Sequence, residues 1–167
     1  MKYSKLFALC SLFFLITGCA TEPTNLVFYT APALEADSLA IVSGSEKHRA
    51  IFDNQTTYLV AIDGLPIAHA RASFANQIKV KSGNRKLTVA YAQGSFFGIT
   101  ELSVDLKADH SYILESAPTS GEDGSLTDAS VPYAFWVADS STSEAIGEKK
   151  FAKVSAPSGG YIPIFIK

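Results

Sequence analysis

Apolar and polar residues alternate with a period of two along several segments of this chain. Leu102, Val104 and Leu106 fall on one face of an extended chain, and the polar residues between them fall on the other. Residues 78–81 and 86–91 show the same pattern. A strand with one buried face and one solvated face has this period, whereas a helix repeats about every 3.6 residues. The pattern predicts half-buried antiparallel strands.

Turn-forming residues close the short apolar runs. Residues 57–62 are rich in β-branched and aromatic side chains and end at Asp63 and Gly64. Asp-Gly after such a run is a strong hairpin signal, because glycine adopts the positive φ that a tight turn requires. Outside the N-terminal region, the sequence shows no internal repeat and no long helical periodicity. We therefore predict an all-β fold, a single antiparallel β-sandwich over residues 39–167.

Two later segments of the sequence each have two possible interpretations. Residues 145–154 fit either a strand or a short helix. Residues 161–166 (Tyr-Ile-Pro-Ile-Phe-Ile) carry large apolar side chains that would promote aggregation if exposed to water. We predict that they dock as an edge strand, a position that suits Pro163 because proline lacks an N–H. The alternative is that this segment adds to the sheet of a partner protein.

The N-terminal region has the layout of an export signal. Lys2 and Lys5 precede an apolar run over residues 6–16 that is too short to span a bilayer as a permanent helix. The quartet Ile16-Thr17-Gly18-Cys19 resembles the lipobox of bacterial lipoproteins. This resemblance implies that the Cys19 thiol receives a diacylglyceryl group, that the chain is cut before it, and that the new amino terminus is acylated.

The lipobox resemblance divides the chain into three parts. Residues 1–18 are expected to form the signal peptide, residues 19–38 the lipidated N-terminus and its tether, and residues 39–167 the domain. In lipoproteins of this kind, an aspartate directly after the lipidated cysteine commonly favours retention at the inner membrane. That position is Ala20, so the resemblance implies anchoring at the outer membrane, facing the periplasm or the exterior.

Charge and cysteine content exclude several classes of protein. The chain has 14 Lys and Arg against 16 Asp and Glu, and this balance argues against a nucleic-acid partner, which requires a basic surface. Cys10 lies in the signal and departs with it, which leaves Cys19 as the one thiol, so no disulfide is expected. With three scattered histidines, we expect no structural zinc site and no cofactor.

Parts of the strand region resemble small exported β-sandwich modules of the PEGA and transthyretin-like type. The resemblance rests on residues 58–64, which end in Ile-Asp-Gly, on residues 80–83, which lead through Ser-Gly into a strand ending at Tyr91, and on Tyr112 with the later residues 135–139. It covers roughly residues 39–139. It implies an immunoglobulin- or transthyretin-like sandwich that serves as a scaffold and has no shared catalytic residues.

No motif for enzymatic chemistry is present in the sequence. The chain lacks a Gly-x-Ser-x-Gly elbow, a phosphate-binding glycine loop, an HExxH helix and a calcium loop. Asp63 and Asp139 each precede turn residues, where an aspartate side chain caps its own turn. His48, His69 and His110 stand in or beside polar segments and are expected to be surface residues. We therefore predict that the protein is not an enzyme.

An aromatic strand carries the candidate contact residues. In strand alternation Tyr133 and Phe135 share one face and Trp136 lies on the other. These side chains suit either a sandwich core or a sugar-binding surface, and one of the two faces is expected to meet a partner or the C-terminal segment. The possible partner contacts are Tyr133, Phe135, Trp136, Tyr161 and Phe165.

These observations together favour a lipid-anchored, non-catalytic envelope lipoprotein that binds a protein or cell-envelope partner or serves a structural role. The alternatives are a lipoprotein that binds a saccharide or another small ligand and, third, a hydrolytic enzyme. A shallow aromatic groove would favour the saccharide binder. A flat apolar patch or a free strand edge would favour a protein partner, and three polar side chains converging in a cleft would favour an enzyme.

Overall fold

A computed structural model describes residues 27–33, 38–50, 53–119 and 132–156 of the chain. These residues form ten β-strands and no α-helix. The strands are β1 (Leu39–Ser43), β2 (Ser45–Ala50), β3 (Asp53–Ile62), β4 (Leu65–Pro66), β5 (Ile78–Lys81), β6 (Gly83–Gln93), β7 (Phe96–Leu106), β8 (Ser111–Pro118), β9 (Pro132–Asp139) and β10 (Ala145–Lys153). Within the described ranges, no helix has the length and apolar character needed to cross a membrane.

Several predictions fall on residues outside the described ranges. They are the signal helix in residues 1–18, the lipidation site Cys19, most of the long polar loop after β8, and the C-terminal segment 161–166, which contains Tyr161 and Phe165.

The strands form two sheets. Sheet A has the order β10-β9-β8-β1-β5, and sheet B has the order β2-β3-β6-β7 with β4 beside β3. The fold is nearly all β and rich in antiparallel pairs, as predicted. The expectation of a purely antiparallel arrangement is wrong at one pair, because β1 and β8 are parallel, with Ile41 opposite Ser111. Between β1 and β8 the chain forms all of sheet B as well as β5, and a connection of this length allows two neighbouring strands to run in the same direction.

The sequence pattern predicts most strands and misses one. β7 spans residues 96–106, and its inward residues Leu102, Val104 and Leu106 are at most 3% exposed. Residues 145–153 form strand β10, which decides between the two alternatives for that segment. β2 is not predicted by alternation, because Ser45–Ala50 contains no large apolar residue.

Both sheets bury their inward side chains in one shared core. The largest fully buried side chains come from both sheets and include Tyr91, Tyr112, Tyr133, Phe135, Ile62, Leu87, Leu102, Leu106 and Leu114. At one side the edge strand β7 meets the chain directly after β10, where the backbones of Phe97 and Ser155 exchange two hydrogen bonds of 3.0 Å. The two sheets therefore pack as a sandwich whose edges touch along this side.

The chain crosses from sheet A to sheet B at Gly44. Its N–H donates to the carbonyl oxygen of Phe74 at 2.7 Å, and the backbone on both sides is extended. The polar side chains around the crossing then stabilise the edge of β8, because each donates to one of its carbonyl oxygens. The pairs are Ser43 to Tyr112 at 3.4 Å, Ser45 to Leu114 at 2.6 Å and Lys47 to Ser116 at 3.0 Å.

The Asp-Gly hairpin is present between β3 and β4. Asp63 has φ 49° and Gly64 has φ 82°, which confirms the positive φ predicted for the glycine. The carboxylate of Asp63 does not cap its own turn, however. It accepts hydrogen bonds of 3.0 Å from the backbone N–H of Lys86 and from the guanidinium of Arg85, so its structural role is to hold the turn against β6.

Part of the segment assigned to the tether is attached to the domain. The backbone N–H of Tyr29 donates to the carbonyl oxygen of Pro66, and its phenol donates to that of Lys79, both at 2.8 Å. The ring of Tyr29 also packs against the core. Beside it, Val27 and Phe28 are 69% and 40% exposed. The N-terminal segment therefore meets the domain beside β4 and β5.

Candidate interaction surface

The aromatic strand β9 divides its side chains between the core and the outer surface. Tyr133 and Phe135 are completely buried between the sheets. Trp136 projects from the opposite face of β9 and remains partly exposed. The core role that the sequence allowed is therefore found for Tyr133 and Phe135. Since neither side chain reaches the surface, the interpretation of these two residues as partner contacts is wrong, and Trp136 is the member of the set that the structure leaves accessible.

Two lysines surround the indole ring of Trp136. The Nζ of Lys149 lies 4.4 Å from the ring centroid, and the Nζ of Lys47 lies 6.0 Å from it. Ammonium groups at such distances are attracted to the negative face of the indole. Lys47 also forms an ion pair with Glu115 at 2.6 Å. The indole is therefore part of a charged surface and not of an isolated apolar patch.

The same side of sheet A carries further lysines. On β5 the exposed Lys79 and Lys81 flank Val80, which is 1% exposed and points into the core. On β10 the exposed Phe151 and Lys153 flank Ala152, which packs against the core. We call this surface the Trp136 face and define it by the outward side chains Lys47, Lys79, Lys81, Glu115, Trp136, Lys149, Phe151 and Lys153.

The outer side of sheet B differs, because part of the chain covers it. Tyr58, Ala90 and Ala92 are buried there beneath the segment between β4 and β5, which contributes Ala70 and Phe74. Ile99 of β7 is 43% exposed on the same side. Within the described part of the chain, the segment between β4 and β5 thus covers part of the outer side of sheet B.

A cluster of polar side chains joins the sheets near the end where β3 begins. The hydroxyls of Thr57 and Ser116 lie 2.6 Å apart, and the phenols of Tyr91 and Tyr133 lie 3.2 Å apart. The Gln55 side chain is also buried, and its Nε2 has no hydrogen-bond partner in the described structure. These hydrogen bonds link β3 to β8 and β6 to β9, so the cluster stabilises the packing of the two sheets.

At the opposite end of the sandwich, Asp139 lies between a serine and a histidine. The backbone N–H of Ser141 donates to its Oδ1 at 2.9 Å, as expected for a turn residue. Nδ1 of His110 lies 2.8 Å from its Oδ2, so His110 is not an isolated surface histidine. The hydroxyl of Ser141 bonds to the aspartate and not to the imidazole. The group therefore lacks the serine–histidine contact that nucleophilic catalysis requires.

Hydrogen bonds from Ser141 and His110 hold the pKa of the Asp139 carboxyl well below its usual range. Because the pKa is lower in the folded chain than in the unfolded chain, the carboxylate stabilises the fold above about pH 4, and this stabilisation is lost as the pH falls below that value. We expect Asp139→Asn to lower the melting temperature at pH 7 and to weaken its fall between pH 5 and pH 2. Thermal unfolding followed by circular dichroism measures both effects.

The exposed residue Asp105 provides the control for this prediction. Asp105→Asn removes the same charge from the exposed side of β7 near its C-terminal end, where the carboxylate makes no hydrogen bond or ion pair in the described structure. An identical pH profile for the two variants would contradict the role assigned to Asp139.

The remaining histidines are far from this group. His48 lies on β2, where its ring nitrogens are 2.8 Å from Asn54 and 3.3 Å from Glu46. His69 has a φ of 53° in the segment between β4 and β5. Within the described ranges, no three His, Cys, Asp or Glu side chains form a group that could hold a metal ion.

Comparison with known proteins returns no relative. No protein-family model, no curated protein and no solved structure matches this chain.

Proposed function

We propose that this chain is a lipid-anchored, non-catalytic lipoprotein of the bacterial envelope that binds a cell-envelope partner through the Trp136 face. The anchor is the lipid on Cys19, and the expected location is the outer membrane, facing the periplasm or the exterior. The observation that carries the binding role is the partly exposed Trp136, whose indole lies beside Lys47 and Lys149 on the outer side of sheet A. The finer assignment of an immunoglobulin- or transthyretin-like module is part of this proposal.

The composition of the face supports contact with a partner. Phe151 is 65% exposed on the edge strand β10, and Trp136 lies on the neighbouring strand. Aromatic side chains are costly to leave in water and are enriched where a surface is covered by a partner. Since the outer side of sheet B is partly covered by the chain itself, the outer side of sheet A is the better candidate for this contact.

A neutral saccharide fits the face less well. Sugar stacking requires a free aromatic ring, whereas the ammonium of Lys149 already lies 4.4 Å from the Trp136 centroid. A partner that carries negative charge would instead meet Lys149 and the other lysines favourably. We therefore keep the saccharide binder as the weaker alternative and favour an anionic partner.

Replacing the anchor residue tests the lipoprotein assignment. We expect Cys19→Ser to abolish incorporation of a labelled fatty acid, because the thiol is the acceptor, and to leave the chain uncleaved or detached from membranes. Metabolic labelling followed by membrane fractionation measures both. Cys10→Ser is the matched control and should leave labelling unchanged. Labelled Cys19→Ser protein would rule out the lipobox assignment.

Replacing Trp136 tests the binding role. A tagged chain is crosslinked in intact envelopes and recovered together with whatever it contacts. We expect Trp136→Ala to reduce the recovered partner, whether protein or phospholipid, at least several-fold, and the control Ile99→Ala, on the outer side of sheet B, to leave recovery unchanged. Equal recovery by the two variants would show that the Trp136 face is not the contact surface.

A further inference from the structure

Among the described residues, most of the lysines on the Trp136 face have no carboxylate partner. The chain as a whole has a formal net charge of −2, yet four lysines on β5 and β10 belong to this face, and the exposed carboxylate of Glu148 on β10 is paired with Lys150. Lys79, Lys81, Lys149 and Lys153 form no ion pair with a described carboxylate, and Glu115 is already paired with Lys47. The face therefore attracts anions although the protein is acidic overall.

The residue types on the Trp136 face indicate whether a lipid surface or a protein is the better partner. Lysine is depleted in protein interfaces, where arginine is preferred. At an anionic membrane surface, by contrast, lysines contact phosphate groups without losing much water, and tryptophan is favoured at the level of the headgroups. Lys79, Trp136 and Lys149 with an exposed Phe151 correspond to the second case.

The described N-terminal segment meets the domain at the β5 edge of this face. The phenol of Tyr29 donates a hydrogen bond to the carbonyl oxygen of Lys79 on β5, an edge strand of sheet A. Cys19 is eight residues before Val27, and a chain of that length reaches at most about 28 Å. Five strands spaced about 4.8 Å apart give sheet A a width of about 19 Å. A lipid on Cys19 therefore reaches the plane of the Trp136 face from its β5 edge.

We propose that the Trp136 face lies on the anionic lipid headgroup layer of the membrane that holds the anchor. This inference rests on the proposed function and identifies its cell-envelope partner as phospholipid. Lys79 and Lys81 contact headgroup phosphates near the tether. Trp136 and Phe151 enter the headgroup region at the other end of the same face, on β9 and β10. The lipid then restrains the domain in one orientation, with sheet B facing away from the membrane.

The single tryptophan of the chain makes this orientation measurable. The lipidated protein is reconstituted on vesicles of phosphatidylglycerol and phosphatidylethanolamine, or on vesicles of phosphatidylcholine, each with brominated acyl chains that quench nearby indoles. We expect quenching of Trp136 fluorescence on the anionic vesicles and little on the neutral ones. Raising the salt concentration to about 1 M is expected to reverse it, because screening shortens the reach of the charges.

Lysine variants far from the indole test the contact without changing its surroundings. In the double variant Lys79→Glu, Lys81→Glu, the ratio of domains whose Trp136 face contacts the membrane to domains whose face does not should fall at least about 25-fold. Each lysine at an anionic surface contributes a factor of roughly five to this ratio. Arg71→Glu with Lys86→Glu changes the net charge equally on the sheet B side and is the matched control. This control should retain the quenching.

The outcomes separate the anchor from the orientation. Vesicle flotation with charge-dependent quenching that is lost only in the Lys79 and Lys81 variant supports the proposal. Flotation with equal quenching on both kinds of vesicle, or with unchanged quenching in that variant, overturns the orientation and leaves the anchor intact. Failure of the native chain to float overturns the anchor and the orientation with it. Shielding of Trp136 by an added envelope protein in place of lipid would overturn the lipid assignment.

Discussion

Phe135→Ala is expected to lower the free energy of unfolding by about 3–5 kcal/mol, the usual cost of truncating a large buried aromatic side chain. Phe135 is completely buried at the centre of β9 and belongs to the core that both sheets share. Its removal leaves a cavity that β-strands held by backbone hydrogen bonds cannot close, so the loss includes both transfer and cavity contributions. Urea unfolding followed by far-UV circular dichroism measures the change.

The neighbouring Trp136 is the control for this prediction. Trp136→Ala removes an even larger ring, but the ring is partly exposed and its described polar contacts are with Lys47 and Lys149. We expect it to cost about 1–2 kcal/mol, from partial burial and the cation–π contacts. A loss for Trp136→Ala as large as that for Phe135→Ala would mean that the assignment of the two strand faces is reversed.

Gly44→Ala is expected to destabilise the fold by about 3 kcal/mol, at the upper end of the cost of inserting a methyl group into a closed site. A Cβ at this position would lie 2.4 Å from the carbonyl oxygen of Thr57 and 2.7 Å from that of Phe74. Both are backbone atoms of neighbouring segments, so neither can move as a flexible side chain would. The hydrogen bond from the Gly44 N–H to Phe74 would also be strained.

Gly94 provides a graded control for Gly44. It has a φ of 54° in the turn between β6 and β7, and no atom lies within 4 Å of the position of its Cβ. Gly94→Ala therefore meets backbone strain without a clash, and we expect a cost of about 1 kcal/mol. Denaturant unfolding of both variants compares the two mechanisms. Equal losses would show that the close approach at Gly44 costs no more than the backbone strain at Gly94, which would contradict the role assigned to the close contacts of Gly44.

Local pattern was sufficient to predict the strands with one polar face. The second half of β7 has its apolar residues at every second position, and burial follows this order from Leu102 to Leu106. In β6 the order holds from Leu87 to Val89, and Ala90 is then also buried because the segment between β4 and β5 covers it. The Asp-Gly turn at Gly64 was also predictable, because its φ depends on the residue itself. β2 was not, because a polar strand in Ser45–Ala50 exists only through its pairing with β3.

The surface around Trp136 could not be predicted from the sequence, because it also depends on residues that are distant in the chain. Alternation placed Tyr133 and Phe135 opposite Trp136, but it could not say which side meets the other sheet, since both sides of β9 carry aromatic residues. The lysines around Trp136 come from strands distant in sequence, Lys47 from β2 and Lys149 from β10. No local signal could have brought them together, and the same holds for the contact between His110 and Asp139.

The β class, the main hairpin turn and most strand positions could be predicted from the amino-acid sequence, because each depends on residues within a few positions of one another. The parallel pairing of β1 with β8, the crossing at Gly44 and the face on which Trp136 lies became known from the three-dimensional structure alone. These features arise from contacts between residues far apart in the chain. Their free energies depend on how two whole sheets pack, which no short segment encodes.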